Sequence, residues 1–257
     1  MLATRAVAVL LLTAPIALVV FLSFGAEQYT VIPPGAYSLH WYRNILLQRE
    51  FIPAFVTSLE IALVVTAISL SMGTPAAYAL RRYAVPGRRV LEAALLAPIT
   101  VPLVVTGSAL LVLFGRYGFA SSFWKIAVGH VIVTFPYVMR TVTVALAGYD
   151  GGLDEAAAGL GARPRQVFWR VTLPLIRPGL FAGGLFAFIE SFDNFTVTIF
   201  LIGADRRTLP VAIYQYMEWN LDPTVSAISA LLIAMAVAMT LLIERTVGLD
   251  RFVGIRG

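Results

Sequence analysis

Several long apolar stretches, divided by short polar connections, set the pattern of this chain. Each approaches or exceeds the roughly 20 residues that an α-helix needs to cross the hydrocarbon core of a bilayer. Six are read as spans, at Val7–Phe24, Phe55–Leu80, Leu91–Phe114, Trp124–Ala147, Ile176–Ile202 and Val225–Ile243. If the N-terminus is inside, the inside segments hold Arg5, then Arg81, Arg82, Arg88 and Arg89, then Arg163, Arg165, Arg170 and Arg177, then Arg245, Arg251 and Arg256. The outside segments hold only Arg43, Arg49, Arg116, Lys125, Arg206 and Arg207, with Arg140 inside a span. Basic residues concentrate on the cytoplasmic side of membrane proteins, so both ends are expected in the cytoplasm.

Between the first two spans, "GAEQYTVIPPGAYSLHWYRNILLQRE" is too polar to cross. A short interfacial helix is expected to begin near Ser38, a good N-cap residue, with Tyr37, Trp41 and Tyr42 at the outer membrane interface. Arg5 ahead of an apolar run imitates a secretory leader. The run is longer than such leaders use and no A-x-A-like cleavage site follows, so a retained helix is expected.

Composition agrees with an all-α membrane bundle. The chain is 59% hydrophobic and 13% charged, against about 25% charged in soluble domains. It is read as a single transmembrane domain over residues 1–257, without internal repeats. The absence of cysteine removes disulfides, thiolate metal sites and cysteine nucleophiles. The net charge of +5 is explained by cytoplasmic anchoring residues, so no nucleic-acid partner is inferred. Lys125 is the only lysine, which excludes a G-x-x-x-x-G-K-[ST] phosphate loop. His40 and His130 stand alone, and no metal-ligand cluster is visible in the sequence.

One polar island interrupts the pattern. "DEAAAGLGARPRQVFWRVTLPL", Asp154 to Leu175, lies in the loop of about 148–174 between the fourth and fifth spans, on the expected cytoplasmic side. Asp154 and Glu155 suit the first turn of a helix, where negative charge meets the positive dipole end. Gly159 and Gly161 can end that helix through a left-handed cap, and Pro164 fits the first position of a second one, "PRQVFWRV". Pro174 marks its stop or the entry to the next span. Phe168 and Trp169 give the island an apolar face that needs something to press against.

The spacing resembles the signature loop of permease subunits in bacterial ATP-binding cassette (ABC) importers: E-A-A, three residues, G, nine residues, I, one residue, L-P. Glu155, Ala156, Ala157, Gly161, Leu173 and Pro174 match it, and Val171 stands in the isoleucine place. "SLHWYRNIL", "HVIVTFPYVMRTV", "SFDNFTVTIFLIG" and "TLPVAIYQYM" extend the likeness to the spermidine/putrescine branch across nearly the whole chain. The resemblance implies a type I importer permease of six helices in the bacterial inner membrane. It implies that Asp154, Glu155, Ala156, Ala157, Gly161, Val171, Leu173 and Pro174 form a coupling loop seated in an ATPase cleft. It also implies a second, homologous but different permease, two ATPase copies that hold ATP and Mg2+, and an extracytoplasmic binding protein, with membrane lipid around the bundle. This chain would bind no cofactor itself. Relatives carrying opines, amino-acid derivatives, phosphonates or ferric ion keep other solutes open. A channel, membrane enzyme or scaffold that merely shares the loop is the reading from another class.

Four ionisable residues fall in the expected spans: Glu60, Arg140, Glu190 and Asp193. Each charge near the bilayer centre costs about 2.5–3.5 kcal/mol, so the two acids of the fifth span nearly cancel the roughly 4–8 kcal/mol returned by its Leu, Ile, Phe and Val residues. Their shared face is therefore expected to turn toward a partner helix or an aqueous path. A negative path suits a cationic solute, whereas pairing with Arg140 or with a partner permease would make the acids structural. Pro98 and Pro102, one turn apart, are expected to kink the third span. Gly183, Gly184 and Ala187 are expected to admit close packing against a second subunit.

Overall fold

The computed structural model describes residues 2–29 and 31–247, with side chains left undescribed at both outer ends. Arg251 and Arg256, two of the expected inside charges, lie outside the described residues, as do the side chains of Arg5 and Arg245. Regular structure among the described residues is helical, apart from an isolated bridge between Gly25 and Tyr37.

The chain divides into two compact units, one formed by the segments up to Pro53 and from Ala212, the other by Ala54–Val211. The first holds α1 (Leu2–Leu22), α2 (His40–Leu47) and α13 (Thr224–Val247), and α13 packs on both others. The helix begins near Ser38 as expected, but its N-cap is Leu39; the Ser38 hydroxyl, one residue earlier, accepts from the His40 amide at 3.0 Å. Trp41 departs from its expected interfacial place: only 6% exposed, it belongs with Ile45 to the buried face of α2. Asn44 donates to Thr224 at 2.9 Å and ties α2 to the start of α13.

The second unit is built around α6 (Ser122–Gly148), 27 residues long. The same unit also holds α3 (Phe51–Arg82) for nearly all of its length, α4 (Arg88–Leu96), α5 (Leu103–Arg116), α10 (Arg177–Phe192) and α11 (Phe195–Leu201), of which α5, α10 and α11 pack on α6. One core layer joins Ile61, Val65, Leu110, Ile126, Val133, Val197 and Leu201. A second joins Ala77, Leu80, Val138, Met139, Val142, Leu146, Ile176 and Ala187.

Two expected spans prove discontinuous. The third breaks where α4 ends in a 3-10 turn, Ala97–Ile99, and α5 starts after Pro102, the two halves meeting at 95°. The sequence predicts a kink there; the near right angle arises because two prolines one turn apart each remove an amide donor and disfavour helix in the residue ahead. The fifth breaks at Asp193 and Asn194, between α10 and α11. Among the described residues three continuous helices can cross a membrane by length and composition, and five spans result if each of two sharply bent pairs, Arg88–Ile99 with Leu103–Arg116 and Pro164–Leu175 with Arg177–Phe192, counts as one. The remaining expected span, the first, falls on α1, whose described apolar stretch Val9–Leu22 is shorter than a crossing.

The small residues of the fifth span also depart from expectation, because this chain's own packing uses them. Gly183 lies against Val138 and Thr141 of α6, Gly184 against Leu70 of α3, and Ala187 is fully buried. A methyl group at Gly183 would overlap the Thr141 hydroxyl and sit 3.2 Å from the Val138 Cα. Gly183→Ala is therefore expected to destabilise the bundle by about 1–3 kcal/mol, the usual cost of overpacking. Gly184→Ala meets the movable end of Leu70 at 3.1 Å and should do less. Thermal unfolding of the two variants in detergent checks the difference.

Candidate functional site

After α6 the chain turns at Tyr149 and Asp150, and the Asp150 carboxylate accepts from the Gly152 amide at 2.9 Å. Helix α7 (Gly152–Gly159) follows with Asp154 and Glu155 in its first turn. Its C-terminus is closed by Gly161, whose φ of +85° is the left-handed conformation that glycine adopts without a Cβ penalty. Pro164 then opens α8 (Pro164–Val167), and the Gln166 side chain accepts from the Arg163 amide at 2.8 Å. A π-helical turn at Phe168–Thr172 leads to the short α9 (Leu173–Leu175), and the chain bends by 71° into α10. The glycine and proline signals thus place both helices and the hinge as expected.

The two adjacent acids have opposite surroundings. Asp154 is 4% exposed; Tyr149 donates to one of its oxygens at 2.6 Å and Thr172 to the other at 3.0 Å. That carboxylate is an internal brace joining the end of α6, the start of α7 and the π-turn. Glu155 is exposed, with Leu160 91% exposed at the hinge and Trp169 58% exposed beyond it. Phe168 turns inward, its ring edge-on to Tyr78 at 4.9 Å. Of the other motif residues, Ala156 and Gly161 are exposed, while Ala157, Val171, Leu173 and Pro174 are half-buried. Beside Asp154 lies a cavity of about 140 Å³, lined by Tyr78, Arg81, Arg82, Leu146, Tyr149, Gly151, Asp154 and Glu155.

Burial, followed by the hydrogen bond to Asp154, pushes the Tyr149 phenol up to about 12. The folded value lies above the ordinary one near 10, so this contribution to stability is fully present below pH about 10 and is lost as pH rises toward 12. Asp154→Ala should leave Tyr149 and Thr172 without their acceptor, at about 1–3 kcal/mol for the buried Thr172 hydroxyl and less for the half-buried Tyr149. Two readouts check this: a lower melting temperature, and a tyrosine that ionises earlier in an ultraviolet titration.

The four intramembrane candidates are not gathered in one place. Glu60 is bound to Arg206, oxygen to nitrogen 2.7 Å, and the Arg206 guanidinium lies 5.3 Å from the Phe123 ring centroid. In the same loop Asp205 accepts from Ser122 at 2.5 Å, which holds its carboxyl below the ordinary range. Glu60, a candidate for the translocation path by sequence, is here a fastener of the connection between α11 and α12 (Leu209–Trp219). Arg140 is exposed on α6. Among the described residues no ion pair joins Arg140 to either acid of the fifth span.

Glu190 and Asp193 do stand together, at the break. Glu190 is half-buried in the last turn of α10 and Asp193 is exposed at its end. Asn194 caps α11, its side-chain oxygen accepting from the Val197 amide at 2.9 Å, while its Nδ2 lies 3.5 Å from Glu190 Oε1. His130, which the sequence alone does not single out, is 1% exposed and touches both sides of the break. A lone histidine in an apolar span gives no signal of that placement. Two carboxylates beside interrupted backbone can attract and hold a cation where an unbroken helix would present only apolar surface.

Comparison with known proteins agrees with this architecture. Residues 69–248 match the family model "Binding-protein-dependent transport system inner membrane component". The spermidine/putrescine transport system permease protein PotC of Haemophilus influenzae is 30% identical over 228 residues, covering 89% of this chain and 88% of that protein. The molybdenum transport system permease protein ModB of Escherichia coli K12 is 34% identical over 181 residues, 64% of this chain and 79% of that one. In fold, the chain is similar to a crystal structure of a bacterial ABC transporter that imports alginate, with a TM-score of 0.70, 17% identity, and coverage of 96% and 93%.

Proposed function

The chain belongs to the family of binding-protein-dependent transport system inner membrane components, and from that premise we propose that this ABC importer permease carries polyamines such as spermidine or putrescine. The observation that carries the solute class is the pair Glu190 and Asp193, placed at a break in a membrane-crossing segment with no basic partner among the described residues. Coulomb attraction between a carboxylate and an ammonium group strengthens as water is excluded, so two acids at that place favour a solute bearing several amines. The likeness to PotC, over nearly the whole of both chains, points the same way.

In this reading the segment 152–175 is the coupling element, with Glu155, Ala156 and Gly161 on its outer face and Leu160 as its apolar tip. Asp154, Val171, Leu173 and Pro174 hold the element in shape from behind. ATP and Mg2+ belong to a pair of partner ATPases, since this chain has no phosphate loop. A binding protein delivers the solute to the outer side, and a second permease completes the path by alternating access.

An anionic solute is the second reading. It is favoured by the exposed Arg140 and by the similarity to ModB. The test is ATPase activity of the complex, purified with this chain as bait and reconstituted with its binding protein. Stimulation by spermidine or putrescine supports the proposal. Stimulation only by molybdate or another anion replaces the solute while keeping the importer, and an isolated chain that never brings down an ATPase removes the coupling assignment.

A further inference from the structure

We infer that His130 is a positioning residue, a clasp across the broken fifth segment that sets where Glu190 and Asp193 stand. The imidazole reaches from α6 to both sides of the break: Nδ1 is 2.9 Å from the Ser191 hydroxyl on α10, and Nε2 is 2.9 Å from the Thr198 hydroxyl on α11. Breaks in membrane helices persist where neighbouring side chains satisfy and orient the interrupted backbone. Here Asn194 and Thr198 do the first, and His130 does the second.

The donors can be assigned from the network. The single hydroxyl hydrogen of Thr198 is committed to the Asn194 carbonyl at 2.5 Å, so Thr198 can only accept from the ring, and Nε2 carries the hydrogen. With one proton on the ring, Nδ1 is left to accept from Ser191. The backbone oxygen of His130 accepts from Thr134 at 2.8 Å, and Thr134 in turn shares a 2.8 Å hydrogen bond with Ser69 of α3. The chain of contacts therefore runs from α3 through α6 to the break. Each link is polar and buried, which gives one preferred geometry in place of a range.

The consequence for transport rests on the proposal that Glu190 and Asp193 face the solute. Ser191 sits between the two acids in sequence, and Asn194, whose carbonyl binds Thr198, also reaches Glu190. Removing the clasp lets α10 and α11 settle at other angles and separates the acids from the spacing that matches the solute. Ground-state solute binding suffers before the maximal rate does.

The test uses the complete reconstituted transporter. Because the chain has no cysteine, nitroxide labels at Phe186→Cys and Ile199→Cys report the distance across the break. His130→Phe, which fills the space without hydrogen bonds, is expected to broaden or shift that distance. It should raise the solute concentration for half-maximal ATPase stimulation about tenfold while the maximal rate changes by about twofold or less. His130→Gln offers one donor and one acceptor and should restore both readouts. If His130→Phe does not fold, Ser191→Ala and Thr198→Val each remove one arm and should each give part of the effect. An unchanged distance in His130→Phe, or in both single-arm variants, overturns the clasp. A changed distance with unchanged solute dependence supports the clasp and overturns the placement of the acids in the path.

Discussion

Glu155→Arg is expected to reduce solute-stimulated ATPase activity of the assembled transporter by about tenfold or more while leaving the melting temperature of this chain nearly unchanged. The prediction follows from the contrast between two neighbouring acids. Asp154 is buried and accepts from two hydroxyls, so its loss is felt inside the chain. Glu155 is exposed, and among the described residues no side-chain hydrogen bond or ion pair ties it to the fold. Reversing its charge in the first turn of α7 costs about 0.3–1 kcal/mol through the helix dipole, too little to unfold the loop. The large effect must then arise at a partner surface, where reversed charge opposes docking. Equal loss of stability in Glu155→Arg and Asp154→Ala would assign both acids to the internal brace.

Replacing both acids of the break, Glu190→Gln with Asp193→Asn, is expected to lower kcat/KM for polyamine uptake about a hundredfold or more, at roughly tenfold per charge. Tenfold corresponds to about 1.4 kcal/mol, below the Coulomb energy of one contact at an effective dielectric near 20 and so consistent with partial hydration of the path. The amides preserve shape. Glu190→Gln keeps a side-chain oxygen for Asn194 Nδ2, so the cap of α11 and the break itself survive, and the variant tests charge alone. Uptake of labelled putrescine and spermidine checks the size of the loss, and the triamine should suffer more.

The segment proposed to couple was legible because its signals are local. A positive-φ glycine, a proline at a helix start and acids at a positive dipole end act over four or five residues, and each appears where Gly161, Pro164, Asp154 and Glu155 predicted. What escaped was long-range or directional. Glu60 and Arg206 lie 146 positions apart, so their pairing follows from tertiary structure alone. Gly183 and Ala187 announce a close approach, yet a small residue does not say whether the neighbour is its own chain or another. Hydropathy over the fifth span sums to a crossing and hides the local stop at "DN", where Asn194 prefers to cap a new helix over continuing the old one. His130 lacked any signal, since its partners Ser191 and Thr198 are brought near only by the break they flank.

The most direct test of the account is ATP-dependent accumulation of labelled spermidine in proteoliposomes, with ATP enclosed and the binding protein and solute outside. Uptake against a gradient is expected that requires ATP, disappears in Glu155→Arg, and falls sharply in the Glu190→Gln, Asp193→Asn double variant. Spermidine entry that proceeds without ATP, or accumulation of an anionic solute with none of spermidine, would contradict it.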